Sequence, residues 1–189
     1  MNFDIDNAVL LPIDMQAAFD GESWPRRWNS EVDANGLALL DAWRAASRPI
    51  IHVRHDSASP ASSLAFGQPG NAFRPGFGPL GDEPLVSKSV NSAFIGTDLE
   101  LRLKRIGARH VVVFGISTDM CVSTTVRTGA NLGWDMILVP EACDCFDLPD
   151  GKGGMISAED IQAAHVATLR FEFCRTMKLE ELVGLRTAA

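Results

Sequence analysis

An unbroken apolar run from Ala8 to Ile13 ends abruptly at Asp14. Runs of this length without polar alternation suit a strand buried on both faces. Leu37, Leu40 and Trp43, with Leu39 and Ala46, recur at helical spacing and predict a helix from Glu31 to Ala46. Ser47, Arg48 and Pro49 stop it before a second strand, Ile50 to Val53. Leu85 to Lys88 predicts a short extended piece, and Val111 to Phe114 a strongly β-branched strand. Thr97 is placed to cap a helix running to Arg105, with Glu100 at the capping-box position and Gly107 after its end. A further helix is expected from Met120 to Leu132, closed by Gly133, then a strand from Met136 to Val139. Glu159 and Asp160 open a last helix reaching Arg175.

Strands alternating with helices imply a parallel sheet covered on both faces. The fold class expected is therefore α/β, a three-layer α/β/α Rossmann-like sandwich around a mainly parallel sheet. Two segments interrupt the pattern. Ser57 to Pro84 holds five of the ten prolines and five of the 16 glycines, and Cys143 to Ser157 is a second irregular stretch. Loops as long as the first are usually functional or mobile.

At 189 residues the chain is read as one domain over 1–189, and its 46% apolar and 22% charged residues are those of a globular protein. A net charge of −7 leaves no positive field for nucleic acid or anionic lipid, so neither is expected as a partner. The first residues carry Asp4 and Asp6 without a basic stretch, and no apolar run approaches a membrane span, so a soluble cytoplasmic protein is expected. Four cysteines are too few for a disulfide framework, and Cys143 and Cys145 have the wrong spacing for a zinc or redox pair.

Ligands of open α/β sheets bind beyond the carboxyl ends of the strands, so polar residues just after apolar strands are the candidates for chemistry. Asp14, Lys88 and Cys121 stand out. A carboxylate leaving an apolar run must be partnered, functional or a helix cap. Cys121 lies near the start of a helix, where the thiolate is favoured, although a lone cysteine also serves as a small buried hydrophobe. Lys88 could hold a nearby carboxylate ionised or stabilise an oxyanion; alone, it could also be a solvated surface lysine.

Four segments carry a resemblance that covers nearly the whole chain: Leu10 to Phe19, His52 to Ser57, Lys88 to Phe94, and Gly115 to Thr125. In this order they resemble the isochorismatase-like cysteine hydrolases, which include nicotinamidases, carbamoylsarcosine amidases and ureide hydrolases. The resemblance implies an Asp–Lys–Cys triad with Asp14 as base, Lys88 beside it and Cys121 as nucleophile. It also implies a cis peptide between Ile116 and Ser117, with the backbone N–H groups of Ser117 and Cys121 forming an oxyanion hole. Phe19 and Phe94 would line an apolar substrate pocket, and Gln16 would orient Asp14 or a substrate amide. A small amide or ureide is the implied substrate, with a homo-oligomer as the assembly.

Nicotinamidases of the family hold a metal through an Asp-x-His pair and a further histidine after the second strand. Here that loop reads Asp56, Ser57, Ala58, with no histidine between Ser57 and His110, so no metal and no other cofactor is expected. His52 and His55 are taken as a core or pocket-rim pair. Isochorismatases proper cleave a vinyl ether without needing the cysteine, so Cys121 favours C–N hydrolysis. A vinyl-ether hydrolase and a catalytically idle oligomeric binding module stand as the alternatives.

Overall fold

The β-branched and leucine-rich runs become strands, and the register between them decides where the polar residues at their ends meet. The computed structural model describes residues 3–21 and 24–184. Its strands are β1 (Ala8–Ile13), β2 (His52–His55), β3 (Leu85–Lys88), β4 (His110–Ile116) and β5 (Asp135–Asp144). A small hairpin of β6 (Leu148–Pro149) and β7 (Met155–Ile156) follows, then the short β8 (Arg175–Thr176). Six strands form one all-parallel sheet in the order β3-β2-β1-β4-β5-β8. The order reverses between β1 and β4, which opens a crevice at the carboxyl ends of those two strands.

The helices are α1 (Val32–Ala45), α2 (Leu99–Arg105), α3 (Ser123–Asn131), α4 (Ala158–Glu172) and α5 (Leu179–Val183). Gly36 of α1 lies against Phe114, and Gly129 of α3 lies against Met136. Met136 is in register with Val111, three residues from Phe114, so strand alternation puts the two contacts on opposite faces of the sheet. This is the sandwich that the alternating pattern implies. Among the described residues no helix is long and apolar enough to cross a membrane.

Several boundaries differ from the sequence expectation. β2 begins at His52, while Ile50 joins the sheet only through a single bridge to Leu10. β5 runs on past Val139 and Pro140 to Asp144, so Cys143 and Asp144 are strand residues and not loop. Thr97 is not the cap of α2: the helix starts at Leu99 behind Asp98, which puts Glu100 one position too early for a capping box. Thr97 Oγ1 instead accepts from the Leu99 N–H at 3.3 Å, and Glu100 pairs with Lys104. The helix expected from Met120 begins as a π-helical turn, Thr118–Val122, before α3. Ser157 caps α4 by accepting from the Asp160 N–H at 3.1 Å.

The long loop before β3 is tied down by buried charge. Arg74, 2% exposed, donates to Asp20 at 2.6 Å and to Asp33 at 2.7 Å, joining the loop to the turn after β1 and to α1. Arg44 of α1 reaches Glu83 at 2.8 Å, and Glu83 also meets His52 at 2.7 Å.

Gly115 is the tightest point of the sheet. Its φ is +138°, and a Cβ there would sit 2.0 Å from the Ile13 carbonyl oxygen, in the backbone of β1 just before Asp14. Neither the dihedral nor the space admits an L side chain. Gly115→Ala is expected to lower stability by more than about 3 kcal/mol in urea unfolding. Wild-type stability in that variant would contradict the close approach of β1 and β4.

Candidate active site

Asp14 follows β1 in the crevice, and its backbone is left-handed, with φ +52°. A non-glycine residue holds that conformation only where its surroundings enforce it. They do here: the Asp14 N–H donates to the Val53 carbonyl at 3.0 Å, and the Asp14 carbonyl accepts from the Gln16 N–H at 2.7 Å. The strand ladder is thereby closed while the side chain turns into the interior, where it is fully buried.

Lys88 is the last residue of β3 and stands in register with His55, the last of β2. Strand alternation sends both side chains to the same face. Cys121 comes from the other side of the crevice, in the turn after β4. That turn is set by a cis peptide between Ile116 and Ser117 and by the Met120 and Val122 N–H groups, which both donate to the Ser117 carbonyl. Local π-helical widening is frequent at functional positions. The segment after Lys88 is fastened to α3, with the Ala93 N–H donating to Thr125 Oγ1 at 3.0 Å and Ser92 donating to Thr128 at 3.0 Å.

These elements converge on the Lys88 amino group. Its Nζ lies 2.5 Å from Asp14 Oδ2, 3.0 Å from His55 Nδ1 and 3.3 Å from Cys121 Sγ. The three residues singled out in the sequence are thus brought into one cluster, and a fourth, His55, joins them. His52 and His55 do not form a pair: His52 is buried against Glu83 on the opposite face, and only His55 reaches the cluster.

Burial dominates the proton affinities. It raises the Asp14 carboxyl above the usual range, against the pull of Lys88. It also pushes the Cys121 thiol up to about 12, and the Asp14 carboxylate adds to that shift. This corrects the expectation that a helix start would lower the thiol: Cys121 is only 9% exposed, and desolvation beside an anion outweighs any dipole effect. The thiol is therefore protonated at rest. Among the described residues Asp14 Oδ1 has no nitrogen or oxygen hydrogen-bond partner, and the carboxylate interacts with the Cys121 thiol beside it.

The Gln16 side chain is buried and bonded to backbone, with Oε1 accepting from the His55 N–H at 2.8 Å and Nε2 donating to the carbonyls of His55 and Asn71. Its link to Asp14 is through the backbone, by the Gln16 N–H on the Asp14 carbonyl. Phe19 is buried among Trp24 and Phe146, with ring centroids 4.8 Å and 6.0 Å away, and Phe94 is half-buried against the core.

Asp14, His55 and Cys121 offer one donor atom each within 4.8 Å of one another, a grouping that could suggest a metal. Lys88 stands among all three donors, however, so an ion at that point would face a cationic side chain at contact distance. The set does not fit a divalent metal.

Comparison with known proteins agrees with the architecture. Residues 8–171 match the family model described as Isochorismatase domain. The isochorismatase family protein YrdC of Bacillus subtilis (strain 168) is 34% identical over 179 residues, covering 95% of this chain and 96% of that protein. Nicotinamidase 3 of Arabidopsis thaliana is 27% identical, covering 93% and 86% respectively. A crystal structure of an isochorismatase-family protein from Chromobacterium violaceum ATCC 12472 superposes with a TM-score of 0.92 at 41% identity, covering 97% of this chain and 95% of that one. With the strand order, the crevice and the family match in agreement, this chain belongs to the isochorismatase family of hydrolases.

Proposed function

We propose that the protein hydrolyses a C–N bond in a small amide or ureide, without a metal, through a thioester on Cys121. The observation that carries this reading is the meeting of a carboxylate, a buried thiol and a lysine within one hydrogen-bonded cluster. The relative named as a nicotinamidase, an amide hydrolase by name, supports the choice of bond.

In the first half-reaction Asp14 takes the Cys121 proton as the sulfur attacks the substrate carbonyl. The thiol proton moves only with the attack, because an isolated thiolate is disfavoured in this buried position. The backbone N–H groups of Ser117 and Cys121 stabilise the oxyanion as it forms; one such donor typically supplies about 3–4 kcal/mol. Asp14, now protonated, gives its proton to the departing nitrogen, and the C–N bond breaks to leave an acyl–sulfur bond. Asp14 then removes a proton from water, which attacks the thioester. Collapse frees the acid and returns the proton to sulfur, so amide and water become acid and amine. Between the two half-reactions, once the nitrogen has taken the proton, Lys88 favours the anionic form of Asp14 by its opposite charge. Phe19 and Phe94 provide the apolar sides of the substrate space.

Cys121→Ala is expected to fold normally and to lose at least about 1,000-fold in ammonia release across a panel of small amides, carbamoyl compounds and ureides. Wild-type release should persist with a chelator present throughout. Undiminished release by the variant would remove the covalent mechanism, and loss under chelation would remove its independence of metal.

The base must be ionised to act, and burial has raised its pKa, so the acid limb of kcat/KM should fall above the usual carboxylate range. A pH–rate profile that stays flat down to pH 4 would contradict Asp14 as the base. Lys88→Met leaves a carboxylate buried without its partner and should cost about 3–5 kcal/mol in denaturant unfolding. A variant as stable as the wild type would show that the pair contributes nothing to the fold.

A further inference from the structure

From the cluster geometry we infer that His55 is a positioning residue: it accepts a hydrogen bond from Lys88 through Nδ1 and thereby fixes the Lys88 amino group between Asp14 and Cys121. The inference rests on the hydrolytic reading and deepens it. A lysine amino group carries three hydrogens when charged, and three acceptors surround it here: Asp14 Oδ2, His55 Nδ1 and Cys121 Sγ. The lysine stem is long and flexible, so a single bond to Asp14 would not define where the nitrogen sits relative to the sulfur. The imidazole supplies the third fixed point.

The role demands one ring state. Nδ1 must offer its lone pair, so the ring proton belongs on Nε2. Burial and the neighbouring Lys88 cation both lower the proton affinity of His55, which keeps that lone pair free at neutral pH. The charged and titratable groups facing it are Lys88 of β3, Asp14 after β1, Cys121 from the turn after β4, and its own neighbour Asp56. The two carboxylates oppose the shift, and desolvation outweighs them.

Its backbone is held with unusual thoroughness for a strand end. Gln16 bonds both its N–H and its carbonyl, at 2.8 Å and 3.0 Å, and Asn71 Nδ2 donates to the same carbonyl at 3.0 Å. Gln16 is fully buried and Asn71 is 5% exposed, and a buried amide is retained only where its hydrogen bonds are made. Asn71 reaches Asp56 as well, at 2.9 Å, and the Asp56 N–H donates to the Lys88 carbonyl at 2.7 Å. The clamp thus ties together the two strand ends that carry His55 and Lys88. Gln16 lies two residues past Asp14, so the turn that places the base also places the imidazole.

Two polar replacements separate this role from simple packing. Asparagine offers its Oδ1 near the position of Nδ1, whereas glutamine places its oxygen one bond farther out. In the intact protein, His55→Gln should lose about 100-fold in kcat with little change in KM, the penalty of a catalytic group displaced by about 1 Å. His55→Asn should recover most of that loss and should lack the part of the acid limb that comes from ring protonation. A second readout needs no substrate. Alkylation of Cys121 by iodoacetamide, with Cys121→Ala as the blank, should slow about tenfold in His55→Gln as Lys88 drifts from the sulfur, and recover in His55→Asn.

Equal melting temperatures with wild-type kcat and wild-type alkylation in His55→Gln would overturn the inference. So would a well-folded His55→Asn as impaired as His55→Gln in both assays. If Cys121→Ala still turns over substrate, the hydrolytic reading fails, and the alkylation rates still decide the place of His55.

Discussion

One buried lysine nitrogen organises this molecule. Its donors reach a carboxylate from β1, an imidazole from β2 and a thiol from the turn after β4, while its own backbone ends β3. A cation taken out of water must be paired and hydrogen-bonded, and removing any one acceptor leaves part of that charge uncompensated. Four strand ends are therefore constrained by a single group. They meet at the carboxyl ends of the strands, beside the reversal of strand order, where open α/β sheets bind their ligands.

The backbone around the cluster serves that convergence. Asp14 accepts a left-handed conformation, Gly115 lets β4 approach β1 to a distance that excludes a Cβ, and the π-helical turn after β4 swings Cys121 inward. The desolvation that follows has a chemical consequence. A thiol pushed up to about 12 is a poor nucleophile on its own, so reactivity has to come from a base in contact with it and not from a standing thiolate. The same desolvation raises Asp14, so its carboxylate is a stronger base than one in water. On the mechanism proposed above, the cysteine is activated only as substrate is attacked.

Much of this was legible in the chain. The bounds of β1 and β3 match the expected segments residue for residue; for β1 the reason is that a strand buried on both faces is written as a continuous apolar stretch. Asp14, Lys88 and Cys121 can be singled out because each is a polar or nucleophilic group at or just beyond the carboxyl end of an expected strand. His55 could not: it sits in the short alternating sequence of β2, and its importance depends on register with Lys88, which is a tertiary fact. The Cys121 proton affinity is not legible in the sequence for a similar reason, since helix position is local whereas burial is not. Thr97 shows the limit of motif spacing, as one residue of shift at the helix start dissolves its capping box. β5 ran past its expected end because pairing with β4 at Cys143 and Asp144 overrides the interruption by Pro140 and Glu141.

The claim on which the account turns is that Cys121 carries the acyl group between the two halves of the reaction. Intact-mass measurement of protein quenched during turnover tests it most directly. A covalent mechanism requires a fraction of the chain to be heavier by one acyl group, located on the peptide containing Cys121 and lost on incubation without substrate. Turnover in which the protein mass never changes, with ammonia still released at the full rate, would contradict it.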